Sequence, residues 1–322
     1  MSATPAATDM FALRVTRRER IAEDIYLFEL VDPDGADLAG FAAGAHLSLV
    51  VPNGLVRQYS LVNDPAERHH YVIAVKREAK GRGGSISLVD EARVGDDLRA
   101  GPPSNDFPLV AGAPEFVFIA GGIGITPIMA MIRHLIATGA ARFKLYYLTR
   151  DSEATAFADE LQAPELRSRI FIHHDHGDPA RFFDLWPLLE RPGAAHIYCC
   201  GPRPLMQSVR DMTGHWPSGR IHFEDFGSTE VHRAEDKPFR LHLARSGGVL
   251  DVPAGRTILE VLRANNIIVP SSCESGTCGT CRTRLLAGTA DHRDLVLDEA
   301  ERAENIMICV SRAKTPDLTI DR

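Results

Sequence analysis

Long apolar runs and a surplus of positive charge are both missing from this chain of 322 residues. No stretch of 18 apolar residues occurs, so we expect no membrane-spanning helix. The formal net charge of −7 argues against a nucleic acid as the partner. Residues 1–10 have neither a basic flank nor an apolar core, so they do not predict a signal peptide.

Cysteine is scarce, and its scarcity is informative. Six cysteines in a chain of this length do not predict a disulfide scaffold. Four of them stand near the C-terminus in the pattern C-x4-C-x2-C…C, as Cys273, Cys278, Cys281 and Cys309. A chain that uses its cysteines in this way is expected in a reducing compartment, the cytoplasm.

This spacing is typical of plant-type ferredoxins, in which four thiolates hold one [2Fe–2S] cluster. Thiolate sulfur is a soft ligand that suits iron–sulfur clusters. Gly276 and Gly279 lie between the ligands, where a tight loop needs positive φ angles. Structural zinc sites usually carry two cysteine pairs, whereas the fourth cysteine here stands alone. No C-x-H pair occurs, which argues against Rieske-type ligation in this chain. The pattern therefore predicts a [2Fe–2S] cluster.

The length predicts two or three domains. Residues 238–322 read as a compact, β-rich module, with a hairpin around Ser246-Gly247-Gly248. Thr257 and Glu260 form the capping box of a helix. Residues 228–237 have few hydrophobic side chains and are predicted to be a linker.

Residues 111–227 alternate apolar strands with helices, which predicts a parallel sheet. Strands are expected at 116–119, 143–149, 169–174 and within 195–206. The glycine turn 121–124 is followed by Thr126, predicted as the helix N-cap, and by Pro127, predicted as the first helical residue. Such a turn is a site for a pyrophosphate, although a purely structural turn is the alternative.

Two further patterns in this segment leave alternatives open. For the adjacent Cys199 and Cys200 we expect one core thiol and one thiol, Cys200, near a bound ligand; two core thiols are the alternative. The run H-H-D-H-G-D at 173–178 could suggest a metal site. A polar loop at a strand end explains it equally well.

Residues 1–110 contain many short β-like runs punctuated by glycine, proline and aspartate, which predict an antiparallel barrel. The run R-Q-Y-S-L at 57–61 combines a cation, an aromatic ring and a hydroxyl. The run G-R-G-G-S-I-S-L at 81–88 could cradle a phosphate with its backbone N–H groups. Alone, each run is also compatible with an ordinary strand or a flexible turn.

The order of these motifs along the chain resembles that of the phthalate dioxygenase reductase family. The resemblance covers residues 10–322, about the whole chain. It implies an antiparallel β-barrel that binds FMN (1–110), an α/β parallel-sheet domain that binds NAD (111–227), the linker (228–237) and a plant-type ferredoxin domain of the β-grasp fold (238–322).

The same resemblance implies an FMN site. Its residues would be Arg57, Tyr59, Ser60, Ala74, Lys76, Gly84 and Ser85. Arg57 and Ser85 would contact the phosphate, and Gly84 would supply a backbone N–H. Tyr59 would pack beside the isoalloxazine ring, and Ser60 would lie near flavin N5, the atom that receives hydride. The resemblance is to the FMN-binding branch, and FAD-binding relatives of this type more often place the ferredoxin domain first, so the resemblance favours FMN over FAD.

For the dinucleotide, the resemblance places the pyrophosphate at Gly122, Gly124 and Thr126. Cys200 would lie near the nicotinamide, and Phe226 would lie close to the flavin. The predicted strand 143–149 is followed by Arg150 and Asp151. Asp151 could hydrogen-bond a ribose 2′-hydroxyl, whereas Arg150 could accept a 2′-phosphate. The resemblance favours NADH. Ser60 and Cys200 are the candidate catalytic residues.

The resemblance implies a function in electron transfer. The chain would pass electrons from NADH through FMN and the [2Fe–2S] cluster to a Rieske-type oxygenase component, an aromatic-ring dioxygenase or an O-demethylase of aromatic hydrocarbon catabolism. A monomer is expected. The alternatives are a reductase for a different monooxygenase and a redox sensor that uses the cluster.

Overall fold

A computed structural model describes residues 10–79, 81, 83–226, 235–271, 274 and 276–322. The chain forms two compact units, of which one ends at Glu224 and the other comprises Asp225–Arg322. Most of the predicted linker and the predicted ligand Cys273 lie outside the described residues. Within the described ranges, no helix has the length and apolar character needed to cross a bilayer.

The first part of the first unit is an antiparallel β-barrel. Its six strands follow the order β4-β3-β6-β1-β2-β5 in the sheet. They are β1 (Phe11–Ala22), β2 (Ile25–Val31), β3 (His46–Val50), β4 (Val56–Ser60), β5 (Tyr71–Lys76) and β6 (Asp97–Ala100). The chain beyond β4 closes the sheet on β5, through a bridge between Leu61 and Ile73 and a 2.8 Å hydrogen bond from Val62 N to Val72 O. The predicted barrel is confirmed.

Helix α1 (Gly84–Glu91) follows β5 and begins at the predicted glycine-rich run. Gly83 precedes it with a φ of 81°, a left-handed conformation that glycine adopts without steric cost. Leu88 and Val89 are buried against the barrel core. The helix therefore has a fixed N-terminus beside the barrel.

The second part of this unit is a five-stranded parallel sheet in the order β11-β10-β7-β8-β9. Its strands are β7 (Glu115–Gly121), β8 (Arg142–Thr149), β9 (Ile170–His174), β10 (His196–Cys200) and β11 (Ile221–Glu224). Its helices are α2 (Ile125–Thr138), α3 (Ala158–Leu161), α4 (Trp186–Leu189) and α5 (Arg203–Met212). The parallel register places the carboxyl ends of β7 and β10 side by side, where ligands bind in such sheets.

The N-terminus of α2 differs from the sequence prediction. The residues Gly122–Gly124 form a turn of 3-10 helix that runs directly into α2, so the N-cap is Gly124 rather than Thr126. The helix begins at Ile125, before Pro127. Gly124 already has helical angles, with φ −61° and ψ −5°, so the turn leaves no extended residue for a side chain to cap.

A hydrophobic cluster distinct from the barrel core joins the barrel to the parallel sheet. Ala74 of β5 belongs to the same buried cluster as Ile125 of α2 and Cys200 of β10. Arg133 of α2 donates a hydrogen bond of 2.5 Å from Nη1 to the main-chain oxygen of Val62. These contacts hold the two halves of the first unit together.

The second unit has the predicted β-grasp architecture. Its strands are β12 (Phe239–Leu243), β13 (Val249–Val252), β14 (Arg282–Ala287), β15 (Ala290–Asp291), β16 (Asn305–Met307), β17 (Arg312–Ala313) and β18 (Asp317–Ile320), and its helices are α6 (Ile258–Ala264) and α7 (Glu299–Arg302). The main sheet has the order β13-β12-β18-β14-β16, with β12 and β18 parallel. The predicted hairpin joins β12 to β13, and the predicted capping box of Thr257 and Glu260 starts α6.

A buried ion network fixes Asp236 and Lys237, just before β12. The guanidinium of Arg293 binds Asp236 through Nη1 at 3.2 Å and Nη2 at 2.5 Å, and it binds Asp291 through Nε at 2.8 Å. Arg312 Nε lies 3.5 Å from Asp236, and its other nitrogens donate to main-chain oxygens, including that of Lys237 at 3.1 Å. Because these side chains are nearly inaccessible, loss of one partner would leave a buried charge unpaired.

Candidate functional site

Two adjacent polar side chains at the end of β4 are buried without a protein partner. Neither the Tyr59 hydroxyl nor Ser60 Oγ has a hydrogen-bond partner among the residues that the structure describes. Burial raises the pKa of the Tyr59 hydroxyl well above its usual value, so the hydroxyl is protonated at neutral pH. Buried polar atoms in proteins are normally satisfied. These two atoms therefore fit a bound group rich in hydrogen-bonding atoms, such as a flavin.

Arg57 lies across the N-terminus of α1. A Cβ placed on Gly84 would be 2.5 Å from Arg57 Nε and 2.7 Å from its Cγ, so only glycine allows this approach. Ser85 Oγ accepts a 3.1 Å hydrogen bond from the N–H of Glu78, which leaves its own proton to donate. A guanidinium, a hydroxyl and the N–H groups of a helix N-terminus together suit a phosphate. The structure thus brings together the three predicted phosphate contacts.

Strand β5 carries the two other predicted flavin residues. Ala74 is buried, with 4% of its surface exposed, whereas Lys76 is exposed and its Nζ lies 3.7 Å from Glu78. The same strand contacts the 3-10 turn Gly122–Gly124. The predicted flavin residues and the predicted dinucleotide turn are therefore neighbours.

The glycine turn packs directly on the end of β10. A Cβ on Gly124 would collide with the carbonyl group of Cys200 and would lie 2.7 Å from the nitrogen of Gly201. A Cβ on Gly121 would lie 2.6 Å from Pro202 Cδ. The two loops meet backbone to backbone, which places the predicted pyrophosphate turn beside Cys200.

Thr126 has a structural partner within this turn. Its hydroxyl donates a 3.0 Å hydrogen bond to the main-chain oxygen of Ile123, and only 2% of the residue is exposed. The side chain therefore stabilises the turn that presents the backbone N–H groups.

Both cysteines of β10 are fully buried. Burial raises the pKa of the Cys199 thiol far above its usual value, so this residue is an inert core thiol. Cys200 is the last residue of the strand and shares a hydrophobic cluster with Ala74 of β5. Cys200 also lies against Gly124 of the glycine turn. Its place near a ligand stays a prediction, because the full burial of both thiols also agrees with the alternative of two core cysteines.

Two further predicted residues, Asp151 and Phe226, are described by their own surroundings. Asp151 follows β8 and accepts a 2.9 Å hydrogen bond from the N–H of Ala154 through one carboxylate oxygen, Oδ1. Phe226 belongs to the second unit and is 45% exposed. Its predicted place beside the flavin stays a prediction.

In the second unit, three of the four predicted ligand cysteines lie in the described residues. Cys281 and Cys309 are buried, with 2% and 3% of their surfaces exposed, and Cys278 is partly exposed. Gly276 and Gly279 have φ angles of 83° and 79°, the left-handed conformation that was predicted. A Cβ on Gly276 would lie 2.7 Å from Val310 Cγ2. The loop thus has the curvature and the soft donor set that a [2Fe–2S] cluster needs.

Sequence reasoning missed Thr280, which lies between two of these cysteines. Its Oγ1 is 3.2 Å from Cys278 Sγ. When the cysteine is a thiolate, this hydroxyl is the donor and the sulfur the acceptor. A hydroxyl residue one position before a ligand is the sequence signal that could have identified it.

Comparison with known proteins identifies the three segments. The model for the oxidoreductase FAD-binding domain matches residues 12–107, that for the oxidoreductase NAD-binding domain matches residues 118–211, and that for the 2Fe-2S iron-sulfur cluster binding domain matches residues 241–314. The phthalate dioxygenase reductase of Burkholderia cepacia is 55% identical over 319 residues, 99% of both chains. The chain belongs to the phthalate dioxygenase reductase family.

Two further relatives agree with this assignment. The phthalate 4,5-dioxygenase oxygenase reductase subunit of Pseudomonas putida is 54% identical over 100% of both chains. A solved structure of phthalate dioxygenase reductase, described as a modular structure for electron transfer from pyridine nucleotides to [2Fe-2S], superimposes with a TM-score of 0.75 over 98% of both chains. The predictions of an iron–sulfur flavoprotein reductase and of FMN, NADH and a [2Fe–2S] cluster as cofactors are confirmed.

Members of the phthalate dioxygenase reductase family divide the chemistry among their cofactors. NADH supplies two electrons together as hydride, whereas a [2Fe–2S] cluster carries one electron at a time. Flavin can exchange either two electrons or one. The protein's part is to bind and orient these groups.

Proposed function

We propose that this NADH-dependent reductase delivers electrons to a Rieske-type oxygenase component, either an aromatic-ring dioxygenase or an O-demethylase. The observation that carries the proposal is the full-length identity of 54% to a phthalate 4,5-dioxygenase oxygenase reductase subunit. The partly exposed surface of the loop around Cys278 supports it, because an electron must leave from the cluster side of the second unit. We further propose that the reductase is a monomer of the cytoplasm, where thiolate ligands remain reduced.

The proposed flavin site combines the clusters described above. Arg57, Gly84 and Ser85 hold the phosphate, because a cation, a helix N-terminus and a hydroxyl meet there. The orphaned hydroxyls of Tyr59 and Ser60 face the ring system, with Ser60 beside N5. Ala74 and Lys76 line the same site from β5.

The proposed dinucleotide site lies at the adjacent carboxyl ends of β7 and β10. Backbone N–H groups of Gly122 and Gly124 bind the pyrophosphate, and Thr126 holds the turn in shape. Cys200 packs near the nicotinamide, and Asp151 binds the ribose and favours NADH over NADPH. For Phe226 we propose a position close to the flavin. We propose the domain boundaries 1–110, 111–227 and 238–322 with the linker 228–237.

The proposed cluster ligands are Cys273, Cys278, Cys281 and Cys309. The loop conformation supports this assignment. Gly276 and Gly279, which lie between the first three cysteines in sequence, have the left-handed φ angles that a curled backbone requires. A cysteine must lose its thiol proton to become a ligand. Metal binding drives this loss, so no neighbouring general base is needed.

The test is a reconstitution. The purified reductase is combined with NADH, phthalate, O2 and the oxygenase component of phthalate 4,5-dioxygenase, and NADH consumption is compared with hydroxylated product. We expect stoichiometric coupling with the wild-type protein. The Cys278→Ser variant should still oxidise NADH with ferricyanide and should form no product. Uncoupled NADH oxidation with Rieske oxygenases, alongside efficient reduction of another class of monooxygenase, would contradict the proposed partner and favour the alternative reductase role.

A further inference from the structure

A buried aspartate, Asp294, connects the two cysteine-bearing segments of the second unit. None of its side-chain surface is exposed. Its Oδ2 accepts hydrogen bonds from the N–H groups of Leu297 at 2.8 Å and Val296 at 3.2 Å. Its Oδ1 accepts one from Ser311 Oγ at 3.4 Å. The donors to this side chain in the described residues suit a carboxylate, which only accepts hydrogen bonds when ionised.

The main chain of Asp294 lies against the cysteine loop. A Cβ on Gly276 would be 3.1 Å from the Cα of Asp294 and 3.3 Å from its Cβ. The next residue, Leu295, donates a 2.9 Å hydrogen bond from its N–H to the oxygen of Gly276. Gly276 stands two residues before Cys278. The aspartate therefore supports the loop that carries this ligand.

The carboxylate reaches the second ligand segment through Ser311. Ser311 is fully buried and stands two residues after Cys309. Its Oγ also accepts a 3.2 Å hydrogen bond from the N–H of Arg293. The main chain at Asp294 and Leu295 thus contacts the Gly276–Cys281 loop, while the Asp294 side chain reaches the segment that contains Cys309.

Three basic side chains stand near Asp294 in the described part of this unit, those of Arg293, Arg302 and His292. The guanidinium of Arg293 binds Asp236 and Asp291, as described above. Arg302 of α7 donates to the main-chain oxygen of Asp294 at 3.3 Å. His292 Nδ1 lies 3.6 Å from Oδ1, and burial lowers the pKa of this imidazole, so it is neutral at neutral pH.

We propose that Asp294 is a positioning residue for the cluster loop and that its buried negative charge lowers the reduction potential of the cluster. The reduced cluster differs from the oxidised one by a single added electron, and no bond or proton has to move. A fixed negative charge in a low-dielectric interior disfavours that electron more than the same charge would in water. The inference rests on the proposed ligand set and involves no oxygenase, so failure of the proposed partner leaves it intact.

The test is Asp294→Asn. The asparagine oxygen can accept the N–H groups of Val296 and Leu297, while its amide donates to Ser311 Oγ, so these three contacts are kept and the charge is removed. The cluster potential is measured by a redox titration followed by EPR of the reduced cluster. We expect a more positive potential, with an equilibrium constant for reduction about tenfold larger, which is about 59 mV for one electron. The flavin potential should not change.

The matched control is Asp298→Asn in the same loop. Asp298 caps the N-terminus of α7 through a 2.8 Å bond from the N–H of Glu301, a role that asparagine also performs. Its substitution should leave the potential unchanged. An Asp294→Asn protein with a full cluster signal and the wild-type potential would overturn the proposal.

A second variant covers the case in which the Asp294→Asn protein fails to retain its cluster. In that case Asp294→Glu, which keeps the charge, is measured in its place. A cluster retained at the wild-type potential supports the electrostatic role. If the glutamate variant also loses the cluster, the size of the side chain rather than its charge matters at position 294. This result would overturn the proposal.

Discussion

Replacing Gly124 by alanine tests the proposed dinucleotide site with a single methyl group. The backbone of Gly124 has φ −61°, which alanine adopts without strain. At such compatible positions a change from glycine to alanine usually stabilises a protein by about 0.4–1 kcal/mol. Here the new Cβ would collide with the carbonyl of Cys200 and lie 2.7 Å from the nitrogen of Gly201, and neither backbone group can rotate away.

The magnitude follows from this collision. Inserting a methyl group into a closely packed position costs about 1–3 kcal/mol, which exceeds the gain in chain entropy. The turn Gly122–Gly124 must then move away from β10, and the backbone N–H groups proposed to bind the pyrophosphate move with it. If binding NADH requires the wild-type position, the affinity for NADH falls roughly 5- to 150-fold, since about 1.4 kcal/mol corresponds to a factor of ten.

The assay is anaerobic stopped-flow reduction of the flavin at increasing NADH concentration. Gly193→Ala is the matched control in the same sheet domain, because the nearest atom to its Cβ would be 3.9 Å away. Both variants should retain the flavin and cluster spectra of the wild type. A Gly124→Ala protein with wild-type dependence on NADH would refute the proposed role of the turn.

Three other predictions concern the flavin, the cluster and the sheet. Arg57→Ala should weaken FMN binding at least tenfold, measured by fluorescence titration of the apoprotein, because the guanidinium over α1 is lost; unchanged affinity would contradict the phosphate site. Thr280→Val should make the cluster potential more negative, because the hydroxyl donor to Cys278 is removed and hydrogen bonds to cluster sulfur raise the potential; EPR-monitored titration decides. Burial, reinforced by a neighbouring imidazole, lowers the pKa of His222 to about 4. The imidazole of His222 therefore binds a proton more tightly in the unfolded protein than in the folded one, so the free energy of unfolding should fall as the pH drops from about 6.5 to about 4. In urea titrations, His222→Phe should remove this part of the pH dependence.

Local patterns predicted much of this fold. The cysteine spacing, the capping box of Thr257 and Glu260, and the hairpin at Ser246-Gly247-Gly248 each involve residues close in sequence, so short-range geometry determines them. The parallel sheet could also be predicted from local patterns, because apolar strands that alternate with helices have few other stable arrangements.

Contacts between distant residues could not be predicted from the sequence. The approach of Gly124 to Cys200 depends on the parallel pairing of β7 with β10, and the approach of Arg57 to Gly84 depends on how the barrel closes. The start of α2 was misjudged because Thr126 and Pro127 are good helix-start residues. The preceding 3-10 turn, fixed by packing against β10, overrides that local preference.

In the cluster region, too, local sequence predicted some features and contacts between distant residues determined others. The cysteine motif predicts the four ligands, whereas the contact between Asp294 and Ser311 arises from the fold of the second unit. Thr280 is intermediate, since it is local to the motif but its bond to Cys278 needs the observed loop conformation.

The most direct test of the electron path from NADH through the flavin to the cluster is the visible spectrum of the reductase, recorded anaerobically before and after stoichiometric NADH. The path predicts that the flavin and iron–sulfur bands both bleach, and that only the flavin bands bleach in Cys278→Ser. A wild-type flavin that bleaches while its cluster stays oxidised would contradict the path.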